Sequence, residues 1–161
     1  MTWSLRISNG DLAKGYDNSI DTVWGSDKVI QDLMCWIRQP IGTDPMNPEL
    51  GTFIEVGEAG QTFVINNQMV DLPSDFSQMV LSEIRRVISA YQLDQGTRAR
   101  DEIAQFGRVV TFQDDEIIGN FTVNYTENYD TLYVTISIDT ITGESYTLNV
   151  PVQNDAIIKG V

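Results

Sequence analysis

Histidine is absent from this chain of 161 residues, and Cys35 is its only cysteine. Without histidine there is no Ser-His or Cys-His nucleophile, and the commonest general base and transition-metal ligand are missing. A single cysteine can form neither a disulfide within the chain nor a multi-cysteine zinc site. Most familiar hydrolase mechanisms are therefore excluded, and no sequence pattern indicates a cofactor. An enzyme would depend on a carboxylate pair, a lysine or a bound group.

Long apolar runs and positive charge are also scarce. No apolar run approaches the roughly 18 residues of a membrane span, and the first residues, "MTWSLRISNGD", lack the features of a signal peptide. We therefore expect synthesis in a cytoplasm and no membrane partner. Ten Lys and Arg against 23 Asp and Glu give a formal net charge of -13. Such a surface repels phosphate backbones, so we expect no nucleic-acid partner.

The composition is that of a globular protein with one hydrophobic core. The chain is 42% hydrophobic and 20% charged, and its length suits a single domain. Polar and aromatic residues with turn signals predict an N-terminal arm over 1–25, with a short strand near 5–7. The domain itself is predicted over 26–152, followed by a C-terminal tail over 153–161.

Two main helices are predicted before residue 107. The first begins at Ser26, continues with apolar residues at helical spacing and ends before Pro40. Its apolar residues cover more than half of its circumference, which predicts burial on most sides. The second helix begins at Pro73 or Ser74 and has one apolar stripe. Its pattern breaks at Gly96, and a short third helix is predicted over 99–105.

The second half of the chain predicts an antiparallel sheet. "RVVTF", "GNFTVNYT", "TLYVTISID" and "SYTLNVPV" are four candidate strands, and "TFIEV" and "QTFVIN" are two shorter ones before the second helix. In "TLYVTISID" the aliphatic residues share one face, and Tyr133 lies on the other, either in a cross-strand pair or in an exposed patch. Pro151 is predicted to break the last strand. The fold class is therefore α+β, with two main helices packed on an antiparallel β-meander.

The stretch "RQPIGTDPMNPELGT", residues 38–52, connects the first helix to the following strands. Proline fixes its own φ and restricts the residue before it, so the segment cannot be regular helix. Gly42 and Gly51 can adopt positive φ, where other residues are strained. We therefore predict a stiff, Ω-like connector that does not behave as a flexible linker.

The order of these elements carries a family resemblance. A helix ending in "PIGTDPMNPELG", a second helix ending in "RRVISAYQ" and a terminal meander resemble the small baseplate wedge or sheath-initiator proteins of contractile phage tails. In that family a Gly, a Pro and a segment like D-P-x-[FY]-G follow the first helix. The matching stretch here runs from Gly42 to Gly51, with Asn47 and Leu50 as variants.

The resemblance implies a structural protein of the virion, located in the tail baseplate. Such proteins occur in multiple copies in a ring around the tail tube and bind other baseplate wedge proteins and the tube and sheath proteins. They template the first sheath ring by sharing β-strands. An apolar tail after Pro151 fits that role, because an added strand binds through its main chain.

One motif of the family is missing. The family commonly has Glu-Pro-Arg after the aromatic residue that closes the second helix, whereas "QLD" follows Tyr91 here. Arg98 and Arg100, a few residues further along the chain, are candidates to supply the positive charge of the missing arginine. The predicted protein-interaction residues are Pro45, Pro48, Gly51, Arg98, Arg100, Ile157 and Ile158.

Other reactive side chains have simpler interpretations. Cys35 lies in the first helix among apolar residues, so core packing is favoured over reactivity. The run from Asp114 to Glu116 could bind Ca²⁺, but its spacing matches no ordered loop motif, which favours a solvated turn. Glu83 and Glu102 are the pair to consider for a lysozyme-like hydrolase of a tail. A structural assembly protein is the favoured function, a carboxylate-dependent peptidoglycan hydrolase is the alternative, and a small-molecule binding domain is the weakest reading.

Overall fold

The computed structural model describes the backbone of residues 3–8, 11–48, 50–52, 54–57, 60–65, 68–69, 73–128 and 131–153. Side chains are described in the same ranges except within 54–76 and at 153. In this part of the chain no helix has both the length and the apolar character needed to cross a membrane. The architecture confirms the predicted α+β class, with two helices and antiparallel sheets.

The elements form an N-terminal arm, a first helix, a small sheet, a long second helix and a larger sheet. In chain order they are β1 (Ser4–Leu5), β2 (Ile7–Ser8), β3 (Asp11–Leu12), β4 (Thr22–Val23), α1 (Gly25–Arg38), β5 (Ile54–Gly57), β6 (Gly60–Ile65), β7 (Gln68–Met69), α2 (Pro73–Phe106), a 3₁₀-helix (Asp114–Glu116), β8 (Ile118–Asn128), β9 (Thr131–Thr140) and β10 (Ser145–Gln153). The two short strands predicted before the second helix are present as β5 and β6.

The larger sheet has the strand order β10-β9-β8 and is antiparallel throughout. Its alternation is as predicted, since the aliphatic residues of β9 are buried while Tyr133 is exposed on the opposite face. Tyr133 is paired directly with Pro151 of β10. The expectation that Pro151 ends the last strand is therefore wrong, because β10 continues to Gln153. An edge strand tolerates proline, which has no N–H to donate.

Residues of both helices and of the larger sheet form one hydrophobic core, with α2 packed against β8. The largest buried side chains come from α1, α2, β9 and the residues next to β8: Val29, Leu33, Ile37, Val80, Ile84, Ile88, Leu132, Ile136, Ile138, Gln95 and Glu116. Trp36 meets Tyr91 edge to face, with ring centroids 5.1 Å apart. Burial of α1 is less extensive than predicted: one face is buried, and Cys35 is exposed.

The second helix is longer than predicted, because α2 runs without a break through Gly96. A glycine costs about 1 kcal/mol relative to alanine inside a helix. Two local interactions span this position: an ion pair of 2.9 Å between Asp94 and Arg98, and a hydrogen bond of 2.9 Å from the Thr97 hydroxyl to the Leu93 carbonyl oxygen. The predicted third helix is thus the end of α2.

The stretch "RVVTF" is not a strand. It belongs to a return loop that Glu102 ties to the last turns of α2, since its carboxylate accepts the backbone N–H of Val110 at 2.6 Å and of Thr111 at 2.9 Å. The same hydrogen bonds lower the pKa of Glu102, and the largest contribution comes from the Thr111 side chain. The apolar residues of this stretch therefore belong to a loop that is held against α2, and the prediction of a strand is wrong.

The predicted N-terminal arm is a set of short antiparallel ladders, in which β1 pairs with β4 and β2 pairs with β3. The two ladders are joined at Arg6, whose backbone bonds to both neighbouring segments: its N–H donates to the Asp21 carbonyl, and its carbonyl accepts from the Ala13 N–H. Gln31 of α1 fixes the arm to the domain, because its amide accepts from the Ile7 N–H and donates to the Leu5 carbonyl, each at 2.8 Å. One glutamine side chain thus takes the place of a neighbouring strand.

Candidate interaction site

The connector closes on itself where it leaves and rejoins the domain. Thr52 N–H donates to the Gln39 carbonyl at 2.8 Å, and Ile41 N–H donates to the Thr52 carbonyl at 3.0 Å. The Thr52 hydroxyl donates to the carbonyl of Ile37 in the last turn of α1. At the tip, the Asp44 carboxylate accepts the Met46 N–H at 2.8 Å. These bonds close the connector into a loop, as expected for an Ω-like segment, and its stiffness stays a prediction.

Gly51 is the residue that makes this closure possible. Its φ is +99°, as predicted, and a Cβ built there would collide with the carbonyl oxygen of Gln39. Arg86 of α2 donates a hydrogen bond of 2.6 Å to the Gly51 carbonyl and also pairs with Glu83. Gly42 also has a positive φ of +83°, but open space surrounds the position of its missing Cβ.

The connector, α1 and the middle of α2 enclose a surface groove of about 870 Å³. Its apolar lining comes from all three elements: Trp36, Met46, Pro48, Leu50, Ala90 and Leu93. Polar lining residues include Asp44, Arg86 and the Asp94–Arg98 ion pair. Met46 is 86% exposed and Leu93 is 65% exposed. The groove therefore combines exposed apolar side chains with a few charged ones.

The structure brings together only some of the residues predicted for interaction. Pro48 and Arg98 line the groove, and Gly51 shapes the loop that forms its wall. Pro45 is exposed on the connector outside the groove lining. Arg100 points along its own helix, where its Nε donates to the Gly96 carbonyl at 3.3 Å.

Two predicted residues, Ile157 and Ile158, lie outside the described residues. Sequence reasoning missed Leu93 and Met46. Leu93 lies off the apolar stripe of α2, in the "QLD" that replaces the family motif after Tyr91. An apolar residue at that position was the signal by which the sequence could have revealed it.

The last turns of α2 extend beyond the core. No residue of α2 after Gln95 is buried, and Ile103 and Phe106 are both more than half exposed. Arg98 and Arg100 therefore lie where the helix leaves the domain. A helix without a buried face is stabilised mainly by its own local bonds.

A buried polar cluster lies inside the domain and centres on Glu116. This carboxyl is 0% exposed, so the predicted solvated turn is wrong for Glu116, although Asp114 is exposed. Its Oε1 accepts the Gly25 N–H at 3.0 Å, and its Oε2 accepts the Gln113 N–H at 3.0 Å. Lys28 of α1, also buried, lies 3.3 Å from Oε2.

The groups around this ion pair are bonded as well. The Lys28 ammonium donates to the Thr111 carbonyl at 3.2 Å and lies 4.8 Å from the centre of the Phe112 ring. Gln95 of α2 donates to the Glu116 carbonyl at 2.8 Å and accepts the Ile118 N–H at 3.0 Å. The carboxylate of Glu116 is satisfied by protein groups, and the cluster connects both helices to the start of β8. We therefore interpret it as a structural cluster. Among the described residues, no group of three or more acidic or thiol side chains is arranged to hold a metal ion.

The carboxylates of the hydrolase hypothesis do not meet. Glu83 and Glu102 lie 19 residues apart on the single helix α2, which separates them by roughly 28 Å at 1.5 Å per residue. Glycosidase carboxyls are about 5–9.5 Å apart. Glu83 pairs with Arg86, and Glu102 anchors the return loop. This particular pair cannot act on one glycosidic bond.

Cys35 is exposed on α1, so the prediction of core packing is wrong. Partial burial of the thiol raises its pKa, and the negative charge of Asp32 raises it further. Cys35 lines a second groove of about 470 Å³ between α1 and the arm, next to Ile30 and Met34. A raised pKa leaves little thiolate, so the group is a weak nucleophile.

Compared with models of known protein families and with the sequences of characterised proteins, the chain matches none of them.

Proposed function

We propose that this chain is a structural subunit of a phage or phage-like tail baseplate, and that its connector groove binds a neighbouring tail protein. The connector carries this proposal. The stretch by which the chain resembles the baseplate wedge and sheath-initiator family folds into a closed loop that requires Gly51, and the loop forms one wall of an apolar groove. Preformed grooves with exposed apolar walls are typical binding surfaces for other chains.

The partners that follow from the proposal are other wedge proteins and the tube and sheath proteins, with several copies of this chain arranged in a ring in the virion. Strand sharing with the first sheath ring requires a free strand. At β8, side chains of α2 already donate to outward carbonyls, Gln92 to Ile118 and Gly119 and Arg85 to Val123. The shared strand is therefore expected to come from the segment after Gln153.

The alternative, a peptidoglycan hydrolase, has less support because its proposed carboxylate pair is separated along α2. A direct assay distinguishes the two functions. The purified chain is expected to release no soluble fragments from peptidoglycan. Release that is lost in Glu83→Gln or Glu102→Gln would favour the hydrolase.

The test of the structural proposal is the location of the chain in the virion. Gold-labelled antibodies against the chain are expected to mark the baseplate end of purified tails in electron micrographs. Label on the capsid, or its absence from intact and partly disassembled tails, would contradict the proposal.

The role of the groove is tested in phage that lack their own copy of the gene. Leu93→Asp is expected to reduce the yield of infectious particles, because it places a charge in the apolar groove. Tyr133→Asp, at an exposed position on the sheet, is the matched control and is expected to complement. Equal yields from both variants would show that the groove is not a binding surface.

A further inference from the structure

The N-terminal arm exposes an unusual amount of apolar surface. Within residues 3–24, seven large apolar side chains are at least 40% exposed: Trp3, Leu5, Ile7, Leu12, Tyr16, Ile20 and Trp24. Isolated exposed apolar residues are common on protein surfaces, whereas a contiguous patch marks a binding site. The arrangement of these residues decides between the two.

The ladders of the arm place most of them on one face. Trp3, Leu5 and Ile7 alternate with Ser4 and Arg6, and alternate residues of a strand share a face. Ser4 pairs with the buried residue Val23, so the face of Ser4 is turned towards the domain.

The same pairing extends the outer face across the neighbouring strands. Ile7 is directly opposite Leu12. Continuing the β1–β4 register by one residue places Trp3 opposite Trp24. We call Trp3, Leu5, Ile7, Leu12 and Trp24 the arm face. Ile7 also lines the groove along α1, so the arm face is continuous with that groove.

Charges around the arm face are mainly negative. Arg6 is engaged in an ion pair of 2.8 Å with Asp21. The other exposed charged residues of the arm and the first turn of α1 are Asp11, Asp17 and Asp27 against Lys14, whereas Lys28 is buried. Hydrogen bonds from Ser19 lower the pKa of Asp17, so this group stays ionised at neutral pH. Asp27 lines the same groove as Ile7, and Asp11 precedes Leu12 in β3, so the exposed charges beside the arm face are mainly acidic.

We propose that the arm face binds a different protein, whose contacting surface is apolar at its centre and carries Lys or Arg at its rim. Trp3 and Trp24 are the anchor residues, because large aromatic side chains contribute most to binding when they are buried in a partner. Opposite charge at the rim raises the association rate and selects the partner. This interface is separate from the connector groove and does not depend on the baseplate assignment.

A second copy of this chain is the wrong partner on electrostatic grounds. Two chains of formal charge -13 repel each other, and arm faces brought together would oppose carboxylate to carboxylate. The purified chain is therefore expected to sediment as a monomer at low ionic strength, roughly 0.01 M, where charge repulsion is only weakly screened. A dimer at low salt that is lost in Trp3→Ser/Trp24→Ser would overturn the proposal, since the occupant would then be a second copy.

The positive test uses synthetic amphipathic peptides as probes and tryptophan fluorescence as the readout. A peptide of Leu and Lys is compared with one of Leu and Glu and with one of Gly and Lys of equal charge. The Leu–Lys peptide is expected to bind roughly tenfold or more tightly than either. Equal binding of the Gly–Lys peptide would mean charge attraction alone and would contradict the proposal.

The location of binding is tested with a matched pair of variants. Binding to the variants is measured by titration calorimetry, because Trp3→Ser/Trp24→Ser removes two of the three tryptophans. This variant is expected to weaken Leu–Lys peptide binding at least about tenfold, and Leu93→Ser in the connector groove is expected to leave it unchanged. Hydrogen exchange of the unaltered chain provides a measurement that does not depend on folding of the variants. Protection by the peptide within residues 3–24 supports the proposal, and protection confined to other segments contradicts it.

Discussion

The two ends of α1 are held by different kinds of interaction. At its N-terminus, no side chain of the helix itself forms a cap, and the first N–H, that of Gly25, is satisfied by the buried carboxylate of Glu116. At its C-terminus, the Ile37 carbonyl is satisfied by the Thr52 hydroxyl, which the closed connector brings back to the helix.

The difference shows how one helix can depend on charge at one end and on backbone shape at the other. The N-terminal end requires an ionised carboxylate, which also matches the positive end of the helix dipole and the ammonium of Lys28. The C-terminal end requires a residue without a side chain at position 51. Removing a charge should therefore weaken the first end, and adding a methyl group should weaken the second.

The largest effect is expected from Glu116→Ala. This change leaves the Lys28 ammonium buried without its counter-ion and removes the acceptor of two backbone N–H groups. Breaking a buried ion pair from one side typically costs about 3–5 kcal/mol. The free energy of unfolding, measured with urea, should fall by about that amount.

The neighbouring Asp114, which is exposed, provides the control for Glu116. Asp114→Ala should change the free energy of unfolding by less than about 0.5 kcal/mol. The double variant Lys28→Met/Glu116→Leu should lose less stability than Glu116→Ala, because neither charge is left unpaired. If Glu116→Ala matches Asp114→Ala, the buried cluster is not what holds the N-terminal end of α1.

The next largest effect is expected from Gly51→Ala at the other end of the helix. The added methyl group meets the Gln39 carbonyl and forces a residue with a side chain into φ +99°. Backbone strain of this kind costs about 1–3 kcal/mol, before the collision is counted. Thermal melting should show a clear loss of stability.

Gly42→Ala separates the two causes, because Gly42 has a similar φ and open space at its Cβ position. It should cost only the strain, roughly 1 kcal/mol. Equal losses in the two variants would show that the contact with Gln39 adds nothing and that the connector can shift to relieve it.

The same two ends show which parts of the structure the sequence reveals. The connector was predictable because proline and glycine act through their own backbone preferences, so "PIGTDPMNPELG" indicates a stiff loop with positive φ at Gly51. The role of Glu116 could not be predicted, because the acidic stretch "QDDEI" has the pattern of a solvated turn. Only the fold brings Lys28, 88 residues earlier, within 3.3 Å of it.

The remaining differences have the same physical origin. Alternation in β9 identifies its buried face, since burial of that strand follows from period two alone. The continuation of α2 past Gly96 depends on side-chain bonds such as that between Asp94 and Arg98, which outweigh a local preference. Half of the candidate groove, the connector wall with Pro48, could be predicted. Leu93 and Trp36 on the facing helices could not, because their exposure depends on how the helices pack.

Between its two ends, α1 carries a partly buried carboxyl whose contribution should depend on pH. Burial raises the pKa of Asp32, and this effect exceeds the opposing hydrogen bond from the Tyr91 hydroxyl, 3.1 Å away. A carboxyl whose pKa is raised in the folded state favours folding at low pH, and this contribution is lost as the pH rises through the raised pKa. Asp32→Asn, which can still accept the Tyr91 hydrogen bond, should remove that dependence.

The measurement is the free energy of unfolding of both proteins between pH 4 and about pH 7, a range that brackets ordinary carboxyl titration. Relative to Asp32→Asn, the unaltered chain should lose stability as the pH rises, by less than the loss expected for Gly51→Ala. Asp101→Asn, at an exposed position on α2, gives the baseline for removing one negative charge. A difference between wild type and Asp32→Asn that is constant with pH, or that grows in the opposite direction, would contradict the assignment.

The smallest effect is expected at Cys35, which lies on the exposed side of α1 between the two ends. Cys35→Ser should change the free energy of unfolding by less than about 0.5 kcal/mol, because it removes little buried surface. Leu33→Ala, two residues earlier on the buried face, is the contrasting variant and should cost about 2–5 kcal/mol.

The thiol itself should react with iodoacetamide at pH 7 more slowly than free cysteine, because partial burial and Asp32 raise its pKa. A large loss of stability in Cys35→Ser would show that the side chain packs in the core. Alkylation faster than that of free cysteine would show that the positive charge of Arg38, which lowers the pKa of the thiol, outweighs burial and Asp32.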